Sequence, residues 1–368
     1  MDVRVVGAGP AGLMAAEVLA KAGVRVTIVD HHTNPARKFL LAGRGGLNLT
    51  HSEPLDWLVK RYGPAQSLLE PAIRAFPPEA VIAWCEELGI ATFKGTSGRI
   101  FPACMKASPV LRAWLRRLQG LGVTLKSETP WHGFDATPTI LALGGASWPE
   151  LGSDAAWVGI FESAGVRVVP FAASNGRQLI KWSEHFSSRF AGQPLKNVGV
   201  IIGSNRVRGE VMITRDGIEG SAIYALSPAF REAGNNTLTL DLKPDLTAET
   251  VAQRLAWPQG KSSRSNFLRK AIGLTPQAIS LMREASTDDP KVVRIKLEGP
   301  AAIARAISSA GGVARDEVDE NFALRKFPNT YVVGEMLDWD APTGGYLLQA
   351  CFSTAHAAAT ACLKSAMK

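Results

Sequence analysis

The first thirty residues follow a strand, helix, strand pattern that strongly constrains the fold. A short apolar strand over Asp2–Val6 runs into a glycine-rich turn, a helix of small residues follows from about Pro10 to Ala22, and a second strand covers Arg25–Val29. In α/β folds such a unit brings the turn to the carboxyl edge of a parallel sheet, where ligands bind. The pattern predicts a dinucleotide-binding unit, with an ordinary glycine-rich α/β unit as the alternative.

The turn and the residue after the second strand supply the candidate contacts. Gly7, Gly9 and Gly12 fit the G-x-G-x-x-G spacing, and Asp30 ends the second strand. Gly7 permits the tight turn, Gly9 lets the backbone approach a pyrophosphate, and Gly12 lets the helix pack against the strand. The N–H groups of the helix N-terminus face the phosphates, and Asp30 accepts hydrogen bonds from ribose hydroxyls.

Composition places the chain among ordinary globular proteins. It has 368 residues, with 46% hydrophobic and 20% charged residues, which is enough to bury a large core. The first strand begins at residue 2 and no apolar run is long enough to span a membrane, so we expect a cytoplasmic protein with no membrane partner. The cysteines are scattered, which predicts no metal site and no disulfide framework. They are Cys85, Cys104, Cys351 and Cys362.

The formal net charge of +8 and pI near 9.4 leave two interpretations open. One is an anionic partner, such as a nucleotide cofactor, an RNA or an acidic substrate. The other is a solvated surface with surplus Lys and Arg. Basic residues cluster at Arg112, Arg116 and Arg117, and again at Lys261, Arg264, Arg269 and Lys270. We expect no DNA partner, and the sequence does not predict the oligomeric state.

The order of predicted elements indicates an α/β fold with insertions. Alternating strands and helices at both ends predict a Rossmann-like cofactor domain from residues 1–170 and 305–368. Short strands between Gly and Asn turns predict an inserted, mostly β domain from 171–245 and 288–304. The stretch 246–287 reads as two or three helices and predicts a small helical subdomain.

A second glycine-rich stretch, Arg37–Thr50, closely follows Asp30. Its glycines can bring backbone N–H groups against an anion or a planar ring, and Lys38 and Arg44 can offset phosphate charge. Asn48 adds a short polar group that can reach a ligand. We therefore predict cofactor contact here, the alternative being a flexible surface turn.

A third stretch, Leu141–Asp154, runs from a buried strand into Gly144 and Gly145. The position after a strand predicts that this backbone lies at the carboxyl edge of the sheet, with Gly144 against the cofactor. Ser147, Gly152 and Asp154 are expected to line the same crevice. The alternative is a connecting loop in which Asp154 only caps a helix.

A fourth stretch, Val333–Gln349, combines a strand end, an acidic loop and two glycines that lead into a helix. Glu335, Asp338 and Asp340 suit ribose or ribityl hydroxyls better than phosphates, although a solvated acidic loop is the alternative. Gly344 and Gly345 at the helix start leave N–H groups free for a ligand.

These four stretches together resemble the two-dinucleotide-binding flavoprotein superfamily, and more narrowly the BaiN/YhiN-like family of NAD(P)/FAD-dependent oxidoreductases. The segments S-G-R-I-F-P-A-C-M-K-A-S from Ser97, M-I-T-R-D-G-I-E-G-S-A-I-Y from Met212 and S-A-G-G-V-A-R-D-E-V-D from Ser309 extend the resemblance over most of the chain. It implies FAD as cofactor and a Rossmann-like FAD domain with inserted barrel-like and helical units.

The resemblance also assigns site residues. It implies that the FAD pyrophosphate and adenosine ribose contact Gly7, Gly9, Pro10, Ala11, Gly12 and Asp30. Along the flavin side it places Arg44, Gly45, Gly46 and Asn48. At the ribityl and pyrophosphate region it places Gly334, Glu335 and Asp338. At the pyrimidine edge of the flavin it places Gly344, Gly345, Tyr346 and Leu347.

The family resemblance implies reduction of an activated C=C bond, with substrates as different as steroid-like rings and uracil in ribosomal RNA. Many relatives read G-G-G-R-C-N where this chain has G-R-G-G-L-N, so Leu47 replaces a cysteine and the substrate does not carry over. No second G-x-G-x-x-G is present, which predicts that NADH or NADPH docks only transiently. Candidates on the substrate side are Arg99, Lys106 and Arg215, with a plain surface role as the alternative.

No catalytic residue emerges from the sequence, since neither a metal-ligand pattern nor a nucleophilic triad is evident. The first hypothesis is an FAD-dependent oxidoreductase acting on a conjugated small molecule, with NAD(P)H as reductant. The second is a flavin-dependent RNA base reductase of the dihydrouridine type, docked through the basic segment Lys261–Lys270. The third is a flavin-binding redox sensor without turnover.

Overall fold

The computed structural model describes residues 1–232 and 236–366. The chain forms two compact units. The first combines Met1–Ala172 with the chain from Ser308 onward, and the second is Ala173–Ile307. No helix in the described ranges is long and apolar enough to cross a membrane. The same ranges hold no group of three or more His, Cys, Asp or Glu side chains arranged to bind a metal ion.

The strands, in chain order, are β1 (Asp2–Val6), β2 (Arg25–Val29), β3 (Thr50–His51), β4 (Thr92–Lys94), β5 (Arg99–Pro102), β6 (Thr124–Lys126), β7 (Thr139–Leu141), β8 (Val168–Ser174), β9 (Gln178–Leu179), β10 (Pro194–Ile202), β11 (Asn205–Thr214), β12 (Gly217–Glu219), β13 (Thr237–Asp241), β14 (Val293–Lys296), β15 (Gly299–Pro300), β16 (Ser308–Val313) and β17 (Thr330–Val332). The α-helices are α1 (Pro10–Lys21), α2 (Arg37–Ala42), α3 (Leu55–Leu58), α4 (Gln66–Ala75), α5 (Pro78–Glu87), α6 (Ala107–Gly120), α7 (Val158–Ser163), α8 (Glu184–Phe190), α9 (Ser221–Ala225), α10 (Ser227–Glu232), α11 (Ala248–Leu255), α12 (Arg264–Ile272), α13 (Pro276–Glu284) and α14 (Tyr346–Ala366).

A five-stranded parallel sheet organises the first unit, in the order β17-β7-β1-β2-β6. The central strand β1 pairs on both sides, with Val5 opposite Ile28 and Ile140. These side chains are buried, as expected for a parallel sheet covered on both faces. The carboxyl ends of β1, β2, β7 and β17 therefore meet at one edge, and the predicted α/β, Rossmann-like fold is confirmed.

Aromatic packing joins the helices of the first unit. Trp84 on α5 and Trp114 on α6 meet edge to face with ring centroids 4.7 Å apart, and both rings contact Phe352 on α14. Within this core the carboxylate of Glu17 accepts hydrogen bonds from the Trp84 indole at 3.0 Å and from Arg117 at 2.8 Å. Burial raises the pKa of Glu17, but these hydrogen bonds outweigh it and leave the pKa below its usual value. Arg117 thus has a structural partner in α1.

The second unit is built on an antiparallel sheet in the order β14-β13-β10-β11-β12-β9-β15. Its two edge strands, β14 and β15, are separated along the chain only by residues 297 and 298, so the sheet curls back on itself. This is the barrel-like arrangement that the family resemblance implies.

The predicted helical subdomain, 246–287, does not form a compact unit of its own. Phe267 and Ile272 of α12 and Leu281 of α13 belong to the same hydrophobic core as Val200 and Leu240 of the sheet. These helices are amphipathic and too short to enclose a core alone, so they cover the open face of the sheet instead.

Two predicted helix starts differ from the structure for local reasons. In the sequence, Ser108 followed by Pro109 is typical of an N-cap and a first helical position, but α6 begins at Ala107 and Lys106 is the capping residue. Pro109 is tolerated within the first turn because the N–H groups of that turn have no intrahelical partner. The helix expected from Asp154 starts only at Val158, since Ala155 adopts a left-handed conformation with φ of 57°.

Candidate functional site

A groove opens at the carboxyl edge of the parallel sheet, between the turns that follow β1, β2, β7 and β17. Its walls come from stretches far apart in sequence that the sheet brings together. The lining residues are Gly7, Gly9, Pro10, Ala11, Asp30, His31, His32, Asn34, Ala36, Arg37, Lys38, Phe39, Ala142, Leu143, Gly144, Leu151, Gly152, Ser153, Val333, Glu335 and Cys351.

The three glycines of the first turn have different surroundings. At Gly7, where φ is 97°, a Cβ atom would lie 2.4 Å from the Ala142 carbonyl oxygen. At Gly12 a Cβ atom would lie 1.9 Å from the Gly7 carbonyl oxygen. At Gly9 a Cβ atom would meet no protein atom within 4 Å. Gly7 and Gly12 are therefore required by the protein's own packing, whereas Gly9 faces space that the protein leaves free.

The N-terminus of α1 points its backbone donors at this free space. Pro10 occupies the first helical position, and the first intrahelical bond runs from the Leu13 N–H to the Gly9 carbonyl oxygen at 2.9 Å. The N–H groups of Ala11 and Gly12 precede that bond. Such donors and the positive end of the helix dipole suit an anion.

Asp30 is held by two backbone donors. One carboxylate oxygen accepts the Ala8 N–H at 2.7 Å, and the other accepts the His32 N–H at 2.8 Å. Each oxygen keeps a further lone pair, so the carboxylate can still accept hydrogen bonds from hydroxyl groups in the groove.

A charged bridge joins the two ends of the chain beside the groove. Lys38 Nζ lies 2.7 Å from a Glu335 carboxylate oxygen and donates to Ser147 Oγ at 2.6 Å. The other Glu335 oxygen accepts hydrogen bonds from Ser309, from its N–H at 2.9 Å and its Oγ at 3.1 Å. The acid and base offset each other, so this side of the groove presents little net charge.

The loop after β7 brings a hydroxyl group into the groove. Gly144 has φ of 75°, and Ser153 Oγ lies 3.4 Å from where its Cβ atom would be. Ser153 is buried, and its Oγ has no hydrogen-bond partner among the described residues. An unpaired buried hydroxyl is costly, which indicates that a ligand or water completes it.

Gly334 allows the last strand to approach the first helix. Its φ is 74°, and a Cβ atom would lie 2.9 Å from the Ala11 Cβ. Its N–H donates to Thr354 Oγ1 at 3.1 Å, and its carbonyl accepts the Trp339 indole N–H at 2.8 Å. Gly334 supports the groove from behind and does not line it.

A second group of predicted residues gathers at the N-terminus of α14, away from the groove lining. At Gly345, where φ is 96°, a Cβ atom would lie 2.5 Å from the Thr50 carbonyl carbon of β3. The Tyr346 hydroxyl donates to Glu53 at 2.6 Å, and Arg61 pairs with the same carboxylate at 2.7 Å. The Tyr346 side chain is thereby committed to Glu53.

The Glu53 carboxyl and the Tyr346 hydroxyl have pKa values shifted in opposite directions, both away from neutral pH. Burial raises the pKa of the Glu53 carboxyl, but hydrogen bonds from Arg61 and Tyr346 outweigh burial and lower it overall. Burial and the Glu53 charge raise the pKa of Tyr346. At neutral pH Glu53 is therefore ionised and Tyr346 is protonated.

The loop between α2 and β3 exposes two residues at its centre and buries its leucines. Leu47 and Leu49 are fully buried, while Arg44 and Gly45 are exposed. Asn48 lies between the leucines, and its Oδ1 atom is buried without a hydrogen-bond partner among the described residues. Like Ser153, it is a polar group that the protein alone leaves unsatisfied.

Comparison with known proteins shows the family to which this chain belongs. The family model of the HI0933-like protein Rossmann domain matches residues 1–361. This chain belongs to the HI0933-like family. The predicted resemblance to BaiN/YhiN-like, FAD-dependent oxidoreductases is thereby confirmed, and with it FAD as the cofactor of the family.

Two curated relatives match this HI0933-like chain over nearly its whole length. A "Ribosomal RNA dihydrouridine synthase" of Escherichia coli (strain K12) is 27% identical, with 97% of each chain covered. A "Ribosomal RNA dihydrouridine synthase" of Haemophilus influenzae (strain ATCC 51907 / DSM 11121 / KW20 / Rd) is 24% identical, with 96% of each chain covered.

Solved structures share the fold at low sequence identity. A 3-ketosteroid-Δ4-(5α)-dehydrogenase from Rhodococcus jostii RHA1 is 12% identical with a TM-score of 0.55, covering 98% of this chain and 96% of that one. A flavocytochrome c3 fumarate reductase is 14% identical with a TM-score of 0.54, covering 100% and 78%. Both likenesses support the flavoenzyme fold alone.

The residues of the HI0933-like groove fit FAD. Free space at Gly9 beside the N-terminus of α1 suits a pyrophosphate, and the unsatisfied Ser153 hydroxyl supplies a polar contact. Asp30 and Glu335 would supply carboxylates for its hydroxyl groups. When bound, FAD supplies the hydride chemistry, and the protein supplies position and electrostatics.

The structure brings only part of the predicted site together. Among the predicted cofactor residues, those that line the groove are Gly7, Gly9, Pro10, Ala11, Asp30, Lys38, Gly144 and Glu335. Gly12 and Gly334 pack behind it. The residues predicted to contact the flavin do not line the groove, and their contact with the cofactor stays a prediction. They are Arg44, Gly45, Gly46, Asn48, Gly344, Gly345, Tyr346 and Leu347.

Several other predicted residues have protein partners or lie on the surface. Asp338 lies 3.4 Å from Arg315 and outside the groove lining. Arg99 is half-buried on β5, and Lys106 is exposed at the start of α6. Arg215 is exposed in the turn between β11 and β12 of the second unit. Nothing in these positions assigns them a substrate.

Sequence reasoning missed several groove residues. Ser153 follows Gly152 in the third stretch, but its isolated hydroxyl is visible only in three dimensions. His32, in the loop after β2, lines the groove, and an Arg37 guanidinium nitrogen lies 3.0 Å from its Nδ1. Burial, together with His31 and Arg37, lowers the pKa of His32, so it is neutral at pH 7. Burial raises the pKa of the Cys351 thiol to about 12, which argues against a thiolate nucleophile.

Proposed function

We propose that this protein is an FAD-dependent reductase that forms dihydrouridine in ribosomal RNA. The observation that supports this most directly is the near full-length match to two relatives named ribosomal RNA dihydrouridine synthase. A match covering both the groove and the inserted unit means that the shared features extend beyond the nucleotide-binding turn. Of the hypotheses drawn from the sequence, the RNA base reductase accounts best for these relatives.

The reaction saturates the C5=C6 bond of a uracil ring. One carbon receives a hydride and the other receives a proton, so the base gains two hydrogen atoms. The electrons come from NADH or NADPH, which leaves as NAD⁺ or NADP⁺. With no second G-x-G-x-x-G in the sequence, we propose that the nicotinamide docks transiently and departs before the RNA base reacts.

The groove residues position the cofactor for this reaction. We propose that the N–H groups of Ala11 and Gly12 bind the pyrophosphate and that Asp30 binds the adenosine ribose. Glu335, held by Lys38 and Ser309, contacts hydroxyl groups in the middle of the cofactor. The N-terminus of α14, with Gly345 against β3, would face the flavin ring in this proposal, and its dipole would favour negative charge there.

The test uses ribosomal RNA from a strain that lacks the gene. Nucleosides from that RNA are analysed by mass spectrometry before and after incubation with purified protein and NADPH or NADH. We expect dihydrouridine to appear with the wild-type protein and not with the Gly9→Val variant, whose side chain fills the free space beside α1.

Other outcomes point to the remaining hypotheses. A flavin that NAD(P)H reduces while ribosomal RNA stays unchanged would favour a small conjugated substrate. A flavin that neither NADH nor NADPH reduces, with unchanged RNA, would favour a redox sensor. Either result would overturn the proposed function.

A further inference from the structure

We propose that the exposed face of the segment Thr250–Arg283, in the second unit, is a docking surface for single-stranded RNA. In this assignment Trp257 stacks on an unpaired base, and the surrounding Lys and Arg side chains contact phosphates. The inference rests on the proposed function and deepens it by naming a surface and the form of RNA that it binds.

Charge is the first observation. The segment Thr250–Arg283 contains six of the chain's 41 Lys and Arg residues and none of its 33 Asp and Glu residues. Most of the formal net charge of +8 therefore originates in this short part of the chain. A concentrated cationic surface provides the sequence-independent attraction that polyanions require.

The helices hold these charges in fixed positions. Thr247 Oγ1 caps α11 by accepting the Thr250 N–H at 3.2 Å, and Ser263 Oγ caps α12 by accepting the Asn266 N–H at 3.3 Å. The buried face of α12 packs on the core of the unit through Phe267, Leu268, Ala271 and Ile272. Since that face points inward, Arg269 and Lys270 are left on the exposed side.

The cations of the surface are available to a partner. Lys261, Arg269 and Lys270 are exposed, and no carboxylate of the described residues lies within 4 Å of their charged groups. Arg264 has one acidic neighbour, Asp288 at 3.7 Å, which is itself almost fully exposed. Such a pair is screened by solvent and exchanges readily for a phosphate.

An exposed aromatic ring lies in the same segment as these cations, in the connection between α11 and α12, which contact each other. Trp257 follows the end of α11, is 56% exposed, and is followed by Pro258, which restricts the backbone. A large aromatic side chain facing solvent next to Lys and Arg is the arrangement with which proteins stack unpaired bases. In a duplex the bases stack on each other, so the ring selects single-stranded RNA.

A second exposed tryptophan provides the contrast. Trp57 in the first unit is 60% exposed, and Lys60 lies 4.7 Å above its ring. Its neighbours in sequence include Glu53 and Asp56, so its surroundings are mixed in charge. Trp57 therefore serves as a control of equal exposure without the cationic surface.

The experiment measures RNA affinity of the full-length, FAD-loaded protein. Fluorescence anisotropy follows a short labelled oligouridylate, and a duplex of the same length, over a range of salt concentrations. We expect Trp257→Ala to weaken single-strand binding about tenfold without changing the salt dependence. We expect the Arg269→Glu/Lys270→Glu variant to lower the slope of log affinity against log salt by about 0.7 for each phosphate that it no longer neutralises.

The controls are Trp57→Ala and Arg112→Glu/Arg116→Glu, which replace exposed residues of the first unit and are expected to bind RNA like wild type. Flavin absorbance and circular dichroism verify that each variant is folded. Wild-type affinity in Trp257→Ala, or equal loss in Trp57→Ala, would overturn the inference. Binding to anionic phospholipid vesicles that depends on Trp257, without RNA binding, would also overturn it.

Dihydrouridine formation, measured in parallel at limiting ribosomal RNA, separates this inference from the proposed function. RNA binding that depends on Trp257, without dihydrouridine from the wild-type protein, would contradict the proposed function and leave the docking surface standing. Dihydrouridine formed at wild-type rate by both the Trp257→Ala and the Arg269→Glu/Lys270→Glu variants would contradict the docking surface alone.

Discussion

Gly9 and Gly12 lie three residues apart in one motif, and their surroundings give them opposite roles. A Cβ atom at Gly12 would collide with the Gly7 carbonyl oxygen at 1.9 Å, whereas one at Gly9 would enter free space. Gly9 has φ of −79°, which any residue can adopt. The glycine at position 12 serves the fold, and we expect the glycine at position 9 to serve the ligand.

This difference predicts how two alanine variants behave. Gly12→Ala should lower the free energy of unfolding by about 1–3 kcal/mol or more, because strand and helix must separate. Gly9→Ala should leave the apoprotein's unfolding midpoint in urea unchanged and weaken FAD binding at least about tenfold. Urea denaturation of the apoprotein and flavin titration measure both quantities. If Gly9→Ala binds FAD with wild-type affinity, the pyrophosphate does not bind against this turn.

Glu53 makes stability depend on pH. Its pKa is lowered in the folded protein by Arg61 and Tyr346, despite the opposing effect of burial. Its contribution to stability is therefore present above the unfolded carboxyl pKa of about 4.3 and is lost as pH falls through the lower, folded value.

The variant Glu53→Gln should cost about 1–2 kcal/mol at pH 7 and progressively less below pH about 4. Denaturant unfolding, carried out once at pH 7 and once below pH about 4, measures the difference in unfolding free energy from wild type. Glu86→Gln is the control, since Glu86 is exposed on α5 and should show no effect. A cost that is equal at both pH values would show that the ionised carboxylate is not what stabilises the pair.

At the scale of elements, the start of α14 is fixed by its contact with β3. Gly345 lies against the Thr50 backbone in a left-handed conformation, and Thr50 Oγ1 also donates to Gln349 at 2.5 Å. This junction joins the last helix to a strand almost 300 residues earlier. The loop between α2 and β3 and the last helix are thereby held together.

Gly345→Ala should therefore destabilise the protein by about 3 kcal/mol or more, from the left-handed strain and the backbone collision combined. Gly273→Ala is the matched control. Gly273 has φ of 66°, but a Cβ atom there would meet only the flexible tip of Lys243 at 3.4 Å, so a cost of about 1 kcal/mol is expected. Chemical denaturation compares them, and equal costs would argue against a rigid junction.

Elements made from adjacent residues could be predicted, and contacts between distant residues could not. The β1-α1-β2 unit follows from apolar runs and glycine spacing within thirty residues. By contrast, the pairing of Lys38 with Glu335 arises from the sheet order, which brings these two residues, 297 positions apart in sequence, to the same edge. The delayed start of α7 depends on one left-handed residue, Ala155, which no periodicity reveals.

At the scale of the whole molecule, the cofactor groove and the cationic segment lie in different units. The first unit contains the complete groove, built from both ends of the chain around one parallel sheet. The second unit contains the curled antiparallel sheet and the cationic helical segment. We assign hydride chemistry to the first unit and RNA docking to the second.

In the proposed reaction, electrons from the bound flavin reach a uracil base in ribosomal RNA. The most direct measurement reduces the protein-bound FAD under anaerobic conditions, removes excess reductant, and mixes the protein with ribosomal RNA that lacks the modification. We expect the flavin to be reoxidised and one dihydrouridine to form for each flavin oxidised. Flavin that stays reduced in the presence of this RNA, or that is reoxidised without dihydrouridine, would contradict the account.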